Sequence, residues 1–299
     1  MTREPHSAAQ FTPARDHWWH ADFLDLMAKR LDLGACRNVL ELGAGKGHWT
    51  SLILERIAPD GRITAVERER RWIAAIERRF AGNDRVRALQ GDITSLALEP
   101  RQYDMVTCQT VLMHLQNVPA VLHDAYDLLA PGGLLLVSEP DNFANRISLT
   151  SVVASLTAEQ FGQVAAMWWA FEKGRESHGL GEEWIAVRLP ALINAAGFTG
   201  LKAYHNDRPA MLAPPYTSKE ERAAITDWLA APAHETDVAG REEVLRFVLA
   251  GGMDEATFDR AWVILSAVDA RSRAALSGRT LSSCTGGNLY LFAARKPAR

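Results

Sequence analysis

Apolar residues along the first half of the chain switch between two periods. Short apolar-rich runs, the last of them apolar up to Ser138, predict strands over 37–42, 63–67, 86–90, 103–107 and 134–138. Between them, apolar positions recur three and four residues apart, which predicts helices over 46–58 and 69–80. A third helix begins after Asn117, whose side chain can cap it; it carries Pro119 in its first turn and ends near Ala130. Asp60-Gly61 and Pro131-Gly132-Gly133 punctuate as turns. Strand blocks that are apolar throughout belong to a parallel sheet covered on both faces. The expected fold class is therefore α/β, with a doubly wound sheet.

Outside this region the pattern differs. Residues 1–14 are polar and include two prolines, so they are expected to be a flexible extension or to fold onto a partner surface. From Asp16 to Leu33, Trp19, Phe23, Leu26, Met27 and Leu31 follow helical spacing. After Glu139 the strand blocks stop. Residues 141–185 hold a helical stretch with Met167, Trp168, Trp169 and Phe171 but no clear strand. A helix over 185–196, ending at Gly197, leads to a strand at Phe198–Tyr204. A helical block over about 217–276 follows, and Leu289–Ala294 is a last strand after Gly286-Gly287.

The chain has 299 residues, 47% hydrophobic and 23% charged, within the range of an ordinary globular protein. A net charge of −3 gives no global field that would gather nucleic acid or an anionic membrane. Arg68, Arg70, Arg71, Arg78 and Arg79 interleave with Glu67, Glu69 and Glu77, the pattern of a solvated helix face. Cys36, Cys108 and Cys284 lie far apart and form no C-x-x-C pair, which suggests neither a disulfide framework nor a zinc site. No apolar segment reaches the length of a membrane span, and the first residues have no apolar leader core. A cytoplasmic location is the expectation.

The chemistry is concentrated in VLELGAGKGHWT, residues 39–50. Glu41 precedes Gly43, Gly45 and Gly47, three glycines at alternate positions just before a helix. Glycines this close allow a sharp turn and a close backbone approach to a ligand. A dinucleotide fingerprint would space its third glycine one residue later. Further along come Glu67-Arg68 at the end of strand two, Gly91-Asp92-Ile93 after strand three, CQTVLMHL after strand four and LAPGGLLLVSEPD across strand five.

In this order, the motifs resemble those of class I S-adenosylmethionine-dependent methyltransferases, and the resemblance covers residues 37–141. It implies a seven-stranded sheet whose sixth and seventh strands form an antiparallel hairpin at one edge. It also implies S-adenosylmethionine as cofactor, with S-adenosylhomocysteine as product. Glu41, Gly43, Gly45, Gly47, Glu67, Arg68, Asp92, Ile93, Gln109 and His114 are the implied cofactor residues. Glu67 would accept both ribose hydroxyls, Asp92 the adenine amine, and Ile93 would lie against the ring. The chain departs from the pattern by an insertion of about 80 residues between the last two strands, from Asn206 to Gly286.

Methyl transfer asks the protein to align a nucleophile, exclude water and manage one proton. His114 is the first candidate for that proton, with a backbone-bonded or pocket-lining histidine as the alternative. Glu139 is a second catalytic candidate, expected with Asp141 and Asn142 to face the substrate cavity. Candidate substrate residues are Trp18, Trp19, His20, Asn142, Arg146 and His178. The Trp side chains serve equally as anchors of a packed helix. Ala213-Pro214-Pro215-Tyr216 looks like the tetrapeptide of enzymes that methylate nucleic-acid bases. It follows strand six instead of strand four and lacks the polar first residue, which argues against base methylation.

The expected organisation is an N-terminal segment and cap helix over 1–33. A methyltransferase core would comprise 34–140, 186–205 and 286–296, with helical cap segments at 141–185 and 206–285. The leading functional reading is methylation of an O or N atom of a small metabolite in secondary metabolism. Alternatives are a protein, peptide or RNA methyltransferase, or a non-catalytic cofactor binder. No metal, nucleic acid or membrane partner is expected, and exposed cap helices would allow two copies to pair.

Overall fold

A computed structural model describes residues 18–234, 236–285 and 287–298. The N-terminal extension at 1–14 and the Gly286 of the expected final turn lie outside the described residues. Contacts divide the chain into two units. Unit 1 holds the described residues of Met1–Pro140, Ile185–Arg208 and Leu289–Arg299; unit 2 holds Asp141–Trp184 and Pro209–Asn288.

Unit 1 is built on a seven-stranded sheet. Its strands are β1 (Asn38–Leu42), β2 (Arg62–Glu67), β3 (Val86–Gln90), β4 (Tyr103–Gln109), β5 (Leu129–Pro140), β6 (Thr199–His205) and, last in the chain, β9 (Leu289–Arg295). They lie in the order β3-β2-β1-β4-β5-β9-β6. β1 to β5 are parallel, and β9 runs antiparallel to both β5 and β6. The sheet order therefore reverses between β1 and β4, and the loops leaving their carboxyl ends flank the crevice where open α/β sheets bind ligands.

The covering helices are α1 (Ala21–Leu31), α2 (His48–Leu54), α3 (Arg70–Arg79), α4 (Val118–Leu128) and α7 (Leu189–Ala195). One apolar layer gathers Leu40, Val106, Leu135 and Val137 with Val121, Leu122, Leu189 and Ile193. A second gathers Val39, Ile63, Met105 and Leu136 with Trp19, Met27, Trp49 and Ile53. Asn117 caps α4 as its sequence predicts, accepting from the Ala120 N–H at 3.2 Å.

Several expectations shift. β5 begins at Leu129 instead of Leu134, so Pro131-Gly132-Gly133 lies within an irregular strand, with the register shifting opposite Tyr103 and Met105. Gly132 absorbs that irregularity at φ 80. The 185–196 helix is a 3-10 turn at Ile185–Val187 followed by α7, which carries Pro190 in its first turn. The buried stripe of α1 is Leu24, Met27 and Leu31, while Leu26 is exposed.

Unit 2 comprises α5 (Asn142–Arg146), α6 (Ala158–Ser177), α8 (Lys219–Ala230), α9 (Val238–Ala250), α10 (Glu255–Ser277) and a two-stranded sheet of β7 (Ala210–Leu212) and β8 (Ser283–Thr285). Three-residue strands are too short to show a period, which is why the sequence does not predict them. α6, α9 and α10 share a core of Met167, Phe171, Phe247, Val248, Phe258 and Trp262. α6 and α9 approach closely at two glycines. A Cβ on Gly174 would lie 1.7 Å from the Phe247 carbonyl oxygen, and one on Gly251 would lie 1.9 Å from that of Ala170.

Candidate active site

The turn after β1 strongly favours glycine. Gly43, Gly45 and Gly47 have φ of 69, 56 and 77, the left-handed region that other residues avoid. A Cβ on Gly43 would lie 2.7 and 2.9 Å from the two Val111 methyls, and one on Gly47 would lie 2.8 Å from the Phe80 ring. The turn is pinned to β2 by the Ala44 N–H donating to the Val66 carbonyl at 2.9 Å.

Glu67, buried at the end of β2, holds this turn and the next one together. Its Oε2 accepts from the Gly45 N–H at 2.9 Å and its Oε1 from the Glu69 N–H at 2.9 Å. Each carboxylate oxygen keeps a second lone pair after these bonds, so the group remains a two-point acceptor beside the glycine turn. Arg68 is exposed, with its Nε 3.4 Å from Glu69. Asp92 follows β3. Its Oδ1 accepts from the Thr94 N–H at 2.9 Å and hydroxyl at 2.7 Å, bonds that hold the carboxyl below its usual range. Ile93 packs half-buried against the sheet core.

β4 ends at Gln109, which is buried with neither amide atom hydrogen-bonded among the described residues. Thr110 follows at φ 53, its N–H donating to the Ser138 carbonyl at 2.8 Å. A 3-10 turn, Leu112–His114, then carries His114 half-buried.

Glu139 does not face a substrate cavity as expected. It is completely buried, and its Oε1 accepts from the N–H groups of Val111 and Leu112 at 2.8 and 2.7 Å. Its Oε2 accepts from Met113 at 3.4 Å. Burial pushes its carboxyl up to about 7, against the opposing pull of those three amides. Glu41 is likewise buried, and burial followed by the nearby Glu67 charge raises it to about 8.

The candidate substrate residues are dispersed. Trp19 is a core side chain of unit 1, stacked on Phe23 at 5.6 Å and tilted against Trp49 at 6.2 Å. Trp18 packs against the same layer, and His20 is tied to Asp207, its Nδ1 2.8 Å from Oδ2. In unit 2, the Asn142 N–H donates to the Glu183 carbonyl, and its side-chain oxygen accepts from Asn145. Arg146 is committed to two carboxylates, with Nε 2.9 Å from Glu172 and Nη2 2.6 Å from Glu183, and its guanidinium lies over Trp168 and Phe171. It therefore has little charge to offer a substrate acid. His178 is exposed at the end of α6, edge-on to Phe247. Tyr216 of the Ala213–Tyr216 tetrapeptide is buried, its hydroxyl donating to the Leu281 carbonyl at 2.8 Å.

Sequence reasoning missed Val111, which fills the space a Gly43 side chain would need. A glycine reveals that something approaches closely, but the sequence carries no sign of which side chain does. Among the described residues no cluster of three or more His, Cys, Asp or Glu side chains could hold a metal ion, and no helix is long and apolar enough to cross a membrane.

The reversed sheet order, the three left-handed glycines and the acidic strand ends agree with sequence comparison, in which residues 15–203 match the profile of a family described as a methyltransferase domain. The chain belongs to the class I S-adenosylmethionine-dependent methyltransferase family. Among curated methyltransferases it is 28% identical, over 68% of its own length and 70% of the relative, to trans-aconitate 2-methyltransferase of Methylobacterium radiotolerans. It is 27% identical, over 58% of its length and 77% of the relative, to 2-phytyl-1,4-naphtoquinone methyltransferase of Thermosynechococcus vestitus. With other relatives the match is shorter, spanning 34% of a Streptomyces fradiae transposon protein and 43% of the Methylobacterium nodulans trans-aconitate enzyme. A Bacillus halodurans protein assigned as a methyltransferase shares the fold at a TM-score of 0.52 and 17% identity, covering 92% of this chain and 99% of that one.

Proposed function

We propose that unit 1 binds S-adenosylmethionine at the β1–β4 crevice and that this methyltransferase acts on an O or N atom of a small-molecule metabolite. The observation that carries the cofactor reading is Glu67. Its carboxylate is held rigid by two backbone donors yet keeps a lone pair on each oxygen, the acceptor pair that a ribose diol requires. The groups around it fit the same ligand. Three glycines bare the backbone of the first turn, Arg68 follows Glu67, Asp92 and Ile93 offer an acceptor beside an apolar face, and the buried Gln109 amide is unpaired.

When bound, S-adenosylmethionine supplies an activated methyl carbon on a sulfonium. The chain's part is then alignment, exclusion of water and custody of one proton, with orientation alone supplying ~7–11 kcal/mol. His114, on the turn after Gln109, is the candidate proton acceptor. Glu139 is not, because it is completely buried and turned toward the amides of Val111, Leu112 and Met113.

A small-molecule acceptor is supported by the names of the quinone and aconitate relatives and by the net charge of −3. The test has two steps. Calorimetry with S-adenosylhomocysteine is expected to show binding, and its absence would remove the cofactor reading. Methyl-tritiated S-adenosylmethionine is then offered with fractionated cell extract. Label in the small-molecule fraction is expected; label confined to protein or RNA would replace the acceptor class.

A further inference from the structure

We infer that Glu139 is a positioning residue that sets cofactor affinity through the β4 loop without touching the cofactor. The inference rests on the proposed cofactor site. Three successive amides, those of Val111, Leu112 and Met113, converge on the Glu139 carboxylate. A buried carboxyl that accepts from consecutive N–H groups fixes the loop backbone at several points, since each donor would otherwise be left unsatisfied. The loop needs such fixing, since Thr110 enters it in a left-handed conformation that persists only when its surroundings over-determine it.

The fixed loop in turn supports the glycine turn. The Val111 methyls stand where any Gly43 side chain would be, so the Val111 side chain packs directly against the Gly43 backbone. Gly43 lies two residues from Gly45, whose N–H is bonded to Glu67. A continuous path therefore runs from Glu139 through Val111 and Gly43 to the Gly45–Glu67 bond. Nothing in this path requires Glu139 to reach a ligand. Among the described residues, the side-chain atom nearest its carboxylate by hydrogen bonding is the Cys108 sulfur at 4.0 Å.

The test is a double-mutant cycle read by calorimetry with S-adenosylhomocysteine, since it needs no knowledge of the acceptor. Glu139→Gln keeps the shape but turns one acceptor into a donor facing the loop amides. It is expected to weaken S-adenosylhomocysteine binding by about tenfold or more with an unchanged far-ultraviolet dichroism spectrum. In a Val111→Ala background the same substitution is expected to cost several-fold less, because the path is already cut. Hydrogen exchange at the amides of 111–113 in the ligand-free protein should quicken by at least an order of magnitude in Glu139→Gln. Wild-type affinity in Glu139→Gln, or an effect undiminished by Val111→Ala, would overturn the inference. If Glu139→Gln does not fold, Val111→Ala alone decides, since wild-type affinity there excludes transmission through Gly43. A wild-type protein that fails to bind S-adenosylhomocysteine defeats the cofactor reading and this inference together. Binding by the wild type with unaffected variants defeats this inference alone.

Discussion

Replacing Gly43 by alanine is the most direct probe of how the glycine turn is built. Two separable costs arise. At φ 69 an alanine occupies the left-handed region, which costs roughly 1–2 kcal/mol. The new Cβ would also meet the Val111 methyls at 2.7 and 2.9 Å, well inside contact. Valine has stiff side-chain torsions, and its backbone is held by Glu139, so it cannot swing clear. Overpacking of this kind costs about 1–3 kcal/mol. The sum is roughly 2–5 kcal/mol, or about 4–20 °C in the melting transition of a domain of this size. The steric part is removable. Gly43→Ala with Val111→Ala recovers stability lost to the clash but retains the torsional cost, so it should melt between wild type and Gly43→Ala after correction for Val111→Ala alone. Scanning calorimetry of the four proteins measures all terms. A Gly43→Ala protein within about 1 °C of wild type, or a double variant that recovers nothing, would refute the packing on which this reasoning stands.

Three further outcomes are expected. Glu67→Gln keeps one acceptor oxygen and turns an amide group toward Gly45 or Glu69. Losing charged acceptor bonds worth ~1.5–3 kcal/mol should weaken S-adenosylhomocysteine binding by roughly 10- to 150-fold, and calorimetry showing a change below about threefold would contradict that role. Glu41 and Glu139, raised from 4.5 to about 8 and about 7, favour the folded state in their protonated forms. Their contribution is complete below about pH 4.5 and is lost as pH rises through 7 and 8, so melting temperature should fall across that window. Glu41→Gln should flatten the fall, and an identical pH slope in the variant would show that Glu41 does not titrate there. In unit 2, Arg146→Ala removes the ion pair of the buried Glu172 and one of the two on Glu183, which keeps Arg175 at 3.0 Å, so the loss is at most about 3–5 kcal/mol. Denaturant unfolding monitored by tryptophan fluorescence reads it, and a loss below about 1 kcal/mol would show that the pair is dispensable.

The parallel strands were legible because short apolar-rich runs alternate with helix-period segments, and the glycine turn because it requires residues that tolerate positive φ. Glu67 and Asp92 were legible as acidic groups that end or follow strands, where the sequence pattern changes period. Glu139 shows the limit. It also ends a strand, yet its carboxylate turns inward to three amides that the sequence does not reveal, since backbone donors are the same at every position. Arg146 and Trp19 fail for a related reason. Charge and aromaticity advertise binding, but the sequence does not reveal that Glu172, Glu183, Phe23 and Trp49 have already taken up those surfaces. Long-range pairing is the missing information in each case.

The place of β9 between β5 and β6 has a consequence for how the protein is made. Pro140 pairs with Leu289, and until that late segment emerges from the ribosome β5 presents an unpaired edge of apolar strand. At about 5–20 residues per second, the intervening chain takes roughly 7–30 s to synthesise, long compared with collapse of the segments already exposed. Nascent chains are therefore expected to need chaperone cover during this interval, and a ribosome stall before Leu289 should yield aggregates rather than a soluble fragment.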